Sequence, residues 1–117
     1  MKTRPRVCDL TSALARLGSD VELVREMLSL FSEDVPVYQS RLSGALARGD
    51  SAGVQHASHS LRGMLCMFGA EAAMQVAFRL EMMGTDGDLT EAQAQTEKLD
   101  SEISRFLKIA STRMAKL

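Results

Sequence analysis

The chain has 117 residues, of which 45% are apolar and 25% charged, a balance that fits one globular domain with a single core and excludes a disordered chain. A net charge of −1 without basic blocks excludes a nucleic-acid binder, and no apolar run approaches the ~18 residues of a membrane span. With one tyrosine, four phenylalanines and no tryptophan, the core is expected to be aliphatic, with eight methionines filling gaps.

The start, Met1-Lys2-Thr3-Arg4-Pro5-Arg6, is charged but leads into no apolar stretch, so it does not read as a secretory signal. A short first helix is predicted from Asp9 to Leu17, with Asp9 as N-cap and Gly18 as its stop. Ser19 or Asp20 then caps a long helix. Its apolar positions Val24, Met27, Leu28, Phe31, Val35, Tyr38, Leu42, Ala45 and Leu46 recur every three or four residues. Pro36 falls inside this pattern; because the apolar phase continues past it, a kink is expected rather than a break. Gly49-Asp50 closes this helix, and Asp50 or Ser51 caps the next, which stops near Gly69. A fourth segment, Ala70 to about Met83, places Ala73, Met74, Ala77, Leu80 and Met83 on one side, and Gly84-Thr85-Asp86-Gly87-Asp88 reads as a loop. The last helix carries Leu89, Ala92, Thr96, Leu99, Ile103, Phe106 and Ala110 along a bundle seam. Short connections make successive helices antiparallel neighbours. The expected fold is therefore all-α: an antiparallel up-down-up-down four-helix bundle with a short N-terminal capping helix, and residues 1–117 form a single domain.

The third helix carries the most informative residue. Counting about 100° per residue, Val54, Ala57, Leu61, Met64, Leu65 and Phe68 lie within ~60° of Leu61 and form a core stripe. His59 falls roughly 160° from the centre of that stripe and is aimed at solvent. Arg62 follows at i+3 and Gly63 at i+4. A glycine inside a helix costs about 1 kcal/mol relative to alanine, a cost that clear space beside the imidazole would explain. A histidine near neutral pH keeps one ring nitrogen unprotonated, so it can accept a phosphoryl group, and Arg62 can hold the phosphoryl oxygens. Gln55, His56, Ser60 and Met67 surround this position as a docking surface for a partner.

His59-Ser60-Leu61-Arg62-Gly63 resembles the His-x-Leu-Lys-Gly signature of histidine-containing phosphotransfer (HPt) domains. Phe68-Gly69-Ala70 looks like the junction that closes the family's histidine helix, and Ala77-Phe78-Arg79-Leu80-Glu81 is similar to its Ala-x-x-Leu-Glu stretch. Asp9 to Gly18 resembles the opening helix, and Leu30 to Pro36 the Phe-x-x-Asp-x-Pro region, so the likeness covers about Asp9 to Ile103 in register. The resemblance implies a phosphocarrier without its own ATP site, and so not an enzyme. His59 would carry a phosphoryl group between receiver-domain aspartates of a hybrid sensor histidine kinase and a response regulator. It further implies that Arg62, standing where the family has Lys, stabilises phosphoryl charge, and that Gly63 leaves room for the group. No cofactor belongs to the chain, and Mg²⁺ is expected from the partner receiver domain. A cytoplasmic monomer is expected, and Cys8 and Cys66, isolated and without metal-type spacing, fit a reducing compartment.

The alternative is a helical adaptor that binds and modulates a receiver domain without being phosphorylated; the intact His59-x-x-Arg62-Gly63 set argues against it. Metal binding by His56 and His59 fails for want of further ligands at suitable spacing.

Overall fold

The computed structural model describes residues 4–117, so Met1-Lys2-Thr3 of the charged start lie outside the described residues. Every regular element among them is a helix: α1 (Leu10–Arg16), α2 (Val21–Ala47), α3 (Ser51–Cys66), α4 (Glu71–Asp86) and α5 (Ala92–Met114). Aspartates start the first three. Asp9 accepts from Ser12 N at 3.1 Å, Asp20 from Leu23 N at 3.0 Å and Asp50 from Gly53 N at 2.9 Å, each satisfying a backbone donor the first turn leaves free. Of the two expected caps for α2, Ser19 is disqualified by its left-handed backbone, with φ of 62°. Helix α2 runs through Pro36 without a break.

Helix α3 packs against α2 and α4, and α5 closes the ring against both, while α1 leans on α2. The seams predicted for α2, α3 and α5 are largely the observed ones, whereas on α4 Val76 and Gly84 are buried and the expected Met74 and Met83 only partly so. Val24, Leu28, Phe31, Val35 and Leu42 of α2 are buried with Val54, Ala57, Leu61 and Leu65 of α3 and Leu99, Ile103, Phe106 and Ala110 of α5. The core is less aliphatic than composition suggested. Phe31 meets Phe68 and Phe106 edge-on at centroid distances of 5.5 and 5.4 Å, an arrangement that aligns ring edges with ring faces. Three of the four phenylalanines are thus spent on one buried cluster joining α2, α5 and the end of α3.

The loop expected at Gly84 is instead the last turn of α4, and the left-handed residue that ends the helix is Gly87, with φ of 77°. Gly84 is buried. A Cβ there would stand 2.5 Å from Gln55 N and 2.7 Å from Ser51 O, so its missing side chain is what lets α4 approach the backbone of α3. The turn between α3 and α4 is tied down from the N-terminal segment: Asp9 N donates to Phe68 O at 2.7 Å and Ala72 N to Arg6 O at 2.9 Å. Arg6 N donates in turn to Glu71 Oε2 at 3.2 Å. Helix α4 has no side-chain cap of its own, and this segment takes that role. Cys8 is buried, Cys66 is exposed, and both are free thiols.

Candidate functional site

His59 leaves α3 on the side away from the core, and its side chain is 65% exposed. Its Nδ1 lies 2.8 Å from Oε1 of Glu81 on α4. The same carboxylate receives Arg62: Nε donates to Oε2 at 2.7 Å and Nη2 to Oε1 at 3.2 Å. Because i and i+3 on α3 share a face, His59 and Arg62 both reach one acceptor on the neighbouring helix. Glu81 is only 12% exposed, yet the Arg62 hydrogen bonds hold its carboxyl below the ordinary carboxylate range against the opposing effect of burial, with His59 adding to the same direction. Arg62 is correspondingly raised, chiefly by its hydrogen bond to Glu81.

This arrangement sets the histidine's tautomer. An ionised carboxylate can only accept, so Nδ1 carries the ring proton and donates it to Oε1. Arg62 Nη2 lies 3.3 Å from Nδ1, the separation of two donors sharing the one oxygen, not a bond between them. In the neutral ring the bond to Glu81 leaves the lone pair on Nε2, and the side chain is exposed. The chemistry available is that of an imidazole nucleophile with an arginine cation beside it.

Gly63 lies on the same outer face, and among the described residues a Cβ built there meets nothing within 4 Å. Its lack of a side chain is not demanded by packing among those residues. It opens on a groove of about 520 Å³ between α2 and α3, lined by Met27, Leu30, Asp34, His59, Gly63, Met64 and Met67, with Phe31 and Phe68 beneath. Leu30, 53% exposed, stands on its α2 wall. The groove is an apolar trough with a histidine at its edge.

Of the docking residues expected from sequence, Ser60 and Met67 line this groove. His56 lies in the neighbouring cleft with Tyr38, Arg41 and Arg48, and Ser60 forms the ridge between the two. Gln55 packs its backbone and Cβ against Gly84 on the α4 side, away from the groove. Met64, expected to serve packing alone, is also a groove residue. Glu81 had no place in the expected site: it lay within a family-like stretch without a role, and its partners are 22 and 19 residues away in sequence. A face of the second helix beside His59 is expected to complete the docking surface without named residues, and the packing of α2 on α3 selects Met27, Leu30 and Asp34 from it. Among the described residues no group of three or more metal-ligating side chains occurs, and His56 and His59 recruit no third ligand.

The Hpt domain family model matches residues 26–108, which span the histidine helix, Glu81 and most of the bundle. The fold is similar to that of histidine-containing phosphotransfer protein B (HptB) from Pseudomonas aeruginosa PAO1, with a TM-score of 0.87 at 20% identity, covering 97% of this chain and 99% of that one. It is also similar to the HPT domain of the Hpt sensor hybrid histidine kinase from Shewanella, with a TM-score of 0.77 at 17% identity, covering 95% and 96% of the two chains. No curated protein matches the sequence.

Proposed function

The chain belongs to the Hpt domain family, whose work is histidine phosphotransfer in a phosphorelay, and from that premise we propose that His59 is its phosphoryl carrier. The observation that carries this reading is the Nδ1–Glu81 hydrogen bond on an exposed His59, which in the neutral ring turns the Nε2 lone pair away from Glu81, with open space at Gly63 on the same face. The lone pair on Nε2 attacks the phosphorus of an aspartyl phosphate on a receiver domain. The N–P bond forms as the P–O bond to the aspartate breaks, and the electron pair leaves with that carboxylate. No proton has to depart from Nε2. The ring becomes cationic, and Glu81, already hydrogen-bonded to Nδ1, offsets the new charge. Arg62 draws charge from the phosphoryl oxygens. Running the step backwards passes the group to the next receiver.

Helix and groove divide the labour. His59, Arg62 and Gly63 serve the transfer, while Met27, Leu30, Met64 and Met67 offer an apolar trough to the receiver, with Ser60 and His56 on its flank. The partners in this reading are the receiver domain of a hybrid sensor histidine kinase and a response regulator, met one at a time by a cytoplasmic monomer. The chain supplies no cofactor, and Mg²⁺ comes with the receiver's acidic site. No helix among the described residues is long and apolar enough to cross a membrane.

The test is transfer from a phosphorylated receiver domain to the wild-type chain, to His59→Gln and to His56→Gln. An acid-labile, base-stable label lost only in His59→Gln is the expected result. A label lost only in His56→Gln moves the site one turn along α3. A His59→Gln variant that keeps its full signalling output makes the protein an adaptor instead.

A further inference from the structure

We propose that Phe78 on α4 is a positioning residue for Arg62, holding its guanidinium beside His59 so that the cation is oriented before a phosphoryl group arrives; the proposal rests on His59 being the phosphoryl carrier. Phe78 is the one phenylalanine left out of the buried cluster, and it is 47% exposed. Its ring lies under the guanidinium of Arg62, whose Cζ is 5.3 Å from the ring centroid. On its other edges the guanidinium is engaged by Glu81 through Nε and Nη2. Arg62 is therefore restrained twice over, by two hydrogen bonds to Glu81 and by a cation–π contact with the Phe78 ring. Among the described residues Nη1 makes no hydrogen bond, so its two N–H groups remain for an incoming anion.

The chemistry of the two basic side chains makes this mount specific to arginine. A guanidinium is planar, can donate to both oxygens of a carboxylate and stacks on a ring; an ammonium has neither a fork nor a face. Arginine at position 62 and an aromatic at position 78 thus form a matched pair across the α3–α4 seam. A long flexible cation that is ordered beforehand loses less freedom when it meets the phosphoryl oxygens, which favours the transfer.

A double-mutant cycle tests this: wild type, Phe78→Leu, Arg62→Lys and the double variant, with Phe78→Tyr as the conservative control. The readouts are the rate of transfer from a phosphorylated receiver domain and the lifetime of the phosphorylated histidine. Phe78→Leu should slow transfer about two- to fivefold, the fold-change corresponding to an exposed cation–π contact. It should have a clearly smaller effect in the Arg62→Lys background, where the ammonium lacks the two-point hold on Glu81, and Phe78→Tyr should retain the wild-type rate. The same loss in both backgrounds makes Phe78 a docking contact and overturns the proposal, as does no loss in either. If the wild-type chain takes no label at His59, the carrier reading fails and takes this proposal with it; a label without coupling between Phe78 and Arg62 overturns the proposal alone.

Discussion

Gly63→Ala should make the protein more stable and less active at once. Gly63 sits inside α3, where alanine is favoured over glycine by about 1 kcal/mol. The new methyl would meet nothing within 4 Å, so neither a clash nor a packing gain alters that figure. For a domain of this length, about 1 kcal/mol corresponds to a rise of roughly 4 °C in the unfolding midpoint. The loss of activity comes from the same open space. When a receiver closes on His59, its atoms must pack where the methyl now stands. An extra carbon in a close contact costs about 1–3 kcal/mol, which slows transfer roughly five- to 150-fold. Thermal unfolding followed by circular dichroism and rapid-quench transfer from a phosphorylated receiver measure the two effects on one sample. A lowered midpoint would show that position 63 is not open. A raised midpoint with unchanged transfer would show that nothing enters the space, and the clearance role of Gly63 would fall.

Gly84→Ala should go the other way despite the same gain in helix propensity. Its Cβ would press on backbone atoms of α3, which cannot swing aside as a side-chain tip can, so urea unfolding should show a net loss of about 1–3 kcal/mol. Glu81→Ala should remove the acceptor that favours the Nδ1–H tautomer, seen as a tautomer shift in the ¹⁵N spectrum of His59, and should slow transfer. Because Glu81 is held below its ordinary value of 4.5, its contribution to stability is fully present above that pH and is lost as pH falls through the folded-state value. The stability gap between wild type and Glu81→Ala should therefore narrow on acidification; a constant gap would contradict the ion pair. Asp100 is raised above its ordinary value of 3.8, chiefly by burial, with the hydrogen bond from Gln39 Nε2 opposing. Its folded form holds a proton that the unfolded chain has released, so stability falls as pH rises from 3.8 through the raised value. Asp100→Asn should raise the midpoint at pH 7 and lose that advantage below pH 3.8.

Those predictions separate what periodicity can reveal from what it cannot. The core stripe of α3 was legible because Val54, Ala57, Leu61, Leu65 and Phe68 repeat at helical spacing, and the same repeat put His59 outside. The caps were legible because a short acidic side chain before an apolar run has a local backbone partner. Gly84 was misread because a glycine ahead of Thr-Asp-Gly-Asp looks like a breaker; its true reason is a neighbouring helix about thirty residues earlier in the chain. Ser58 illustrates the same limit. It counts as polar in the sequence but is buried, with no hydrogen-bond partner for its hydroxyl among the described residues. Glu81 was quoted as part of a family-like stretch without gaining a role, since only the α3–α4 packing brings its carboxylate to His59. Leu89 continues the apolar repeat of α5 but precedes its first turn, where its carbonyl accepts from Ala92 N at 3.0 Å.

The hydrogen bonds that tie Arg6 and Asp9 to the α3–α4 turn give the domain a mechanical property. They connect the chain's leading segment to Phe68, Glu71 and Ala72, at the end of the helix that bears the histidine. Tension applied ahead of Arg6 would be borne first by these three bonds, and not by the α2 wall of the groove. A tag or surface tether attached there would pull directly on the end of the histidine helix, whereas one placed after Met114 would load α5, which lies across the core from it. For single-molecule or immobilised transfer assays, the C-terminal attachment is the one that leaves the histidine helix unloaded.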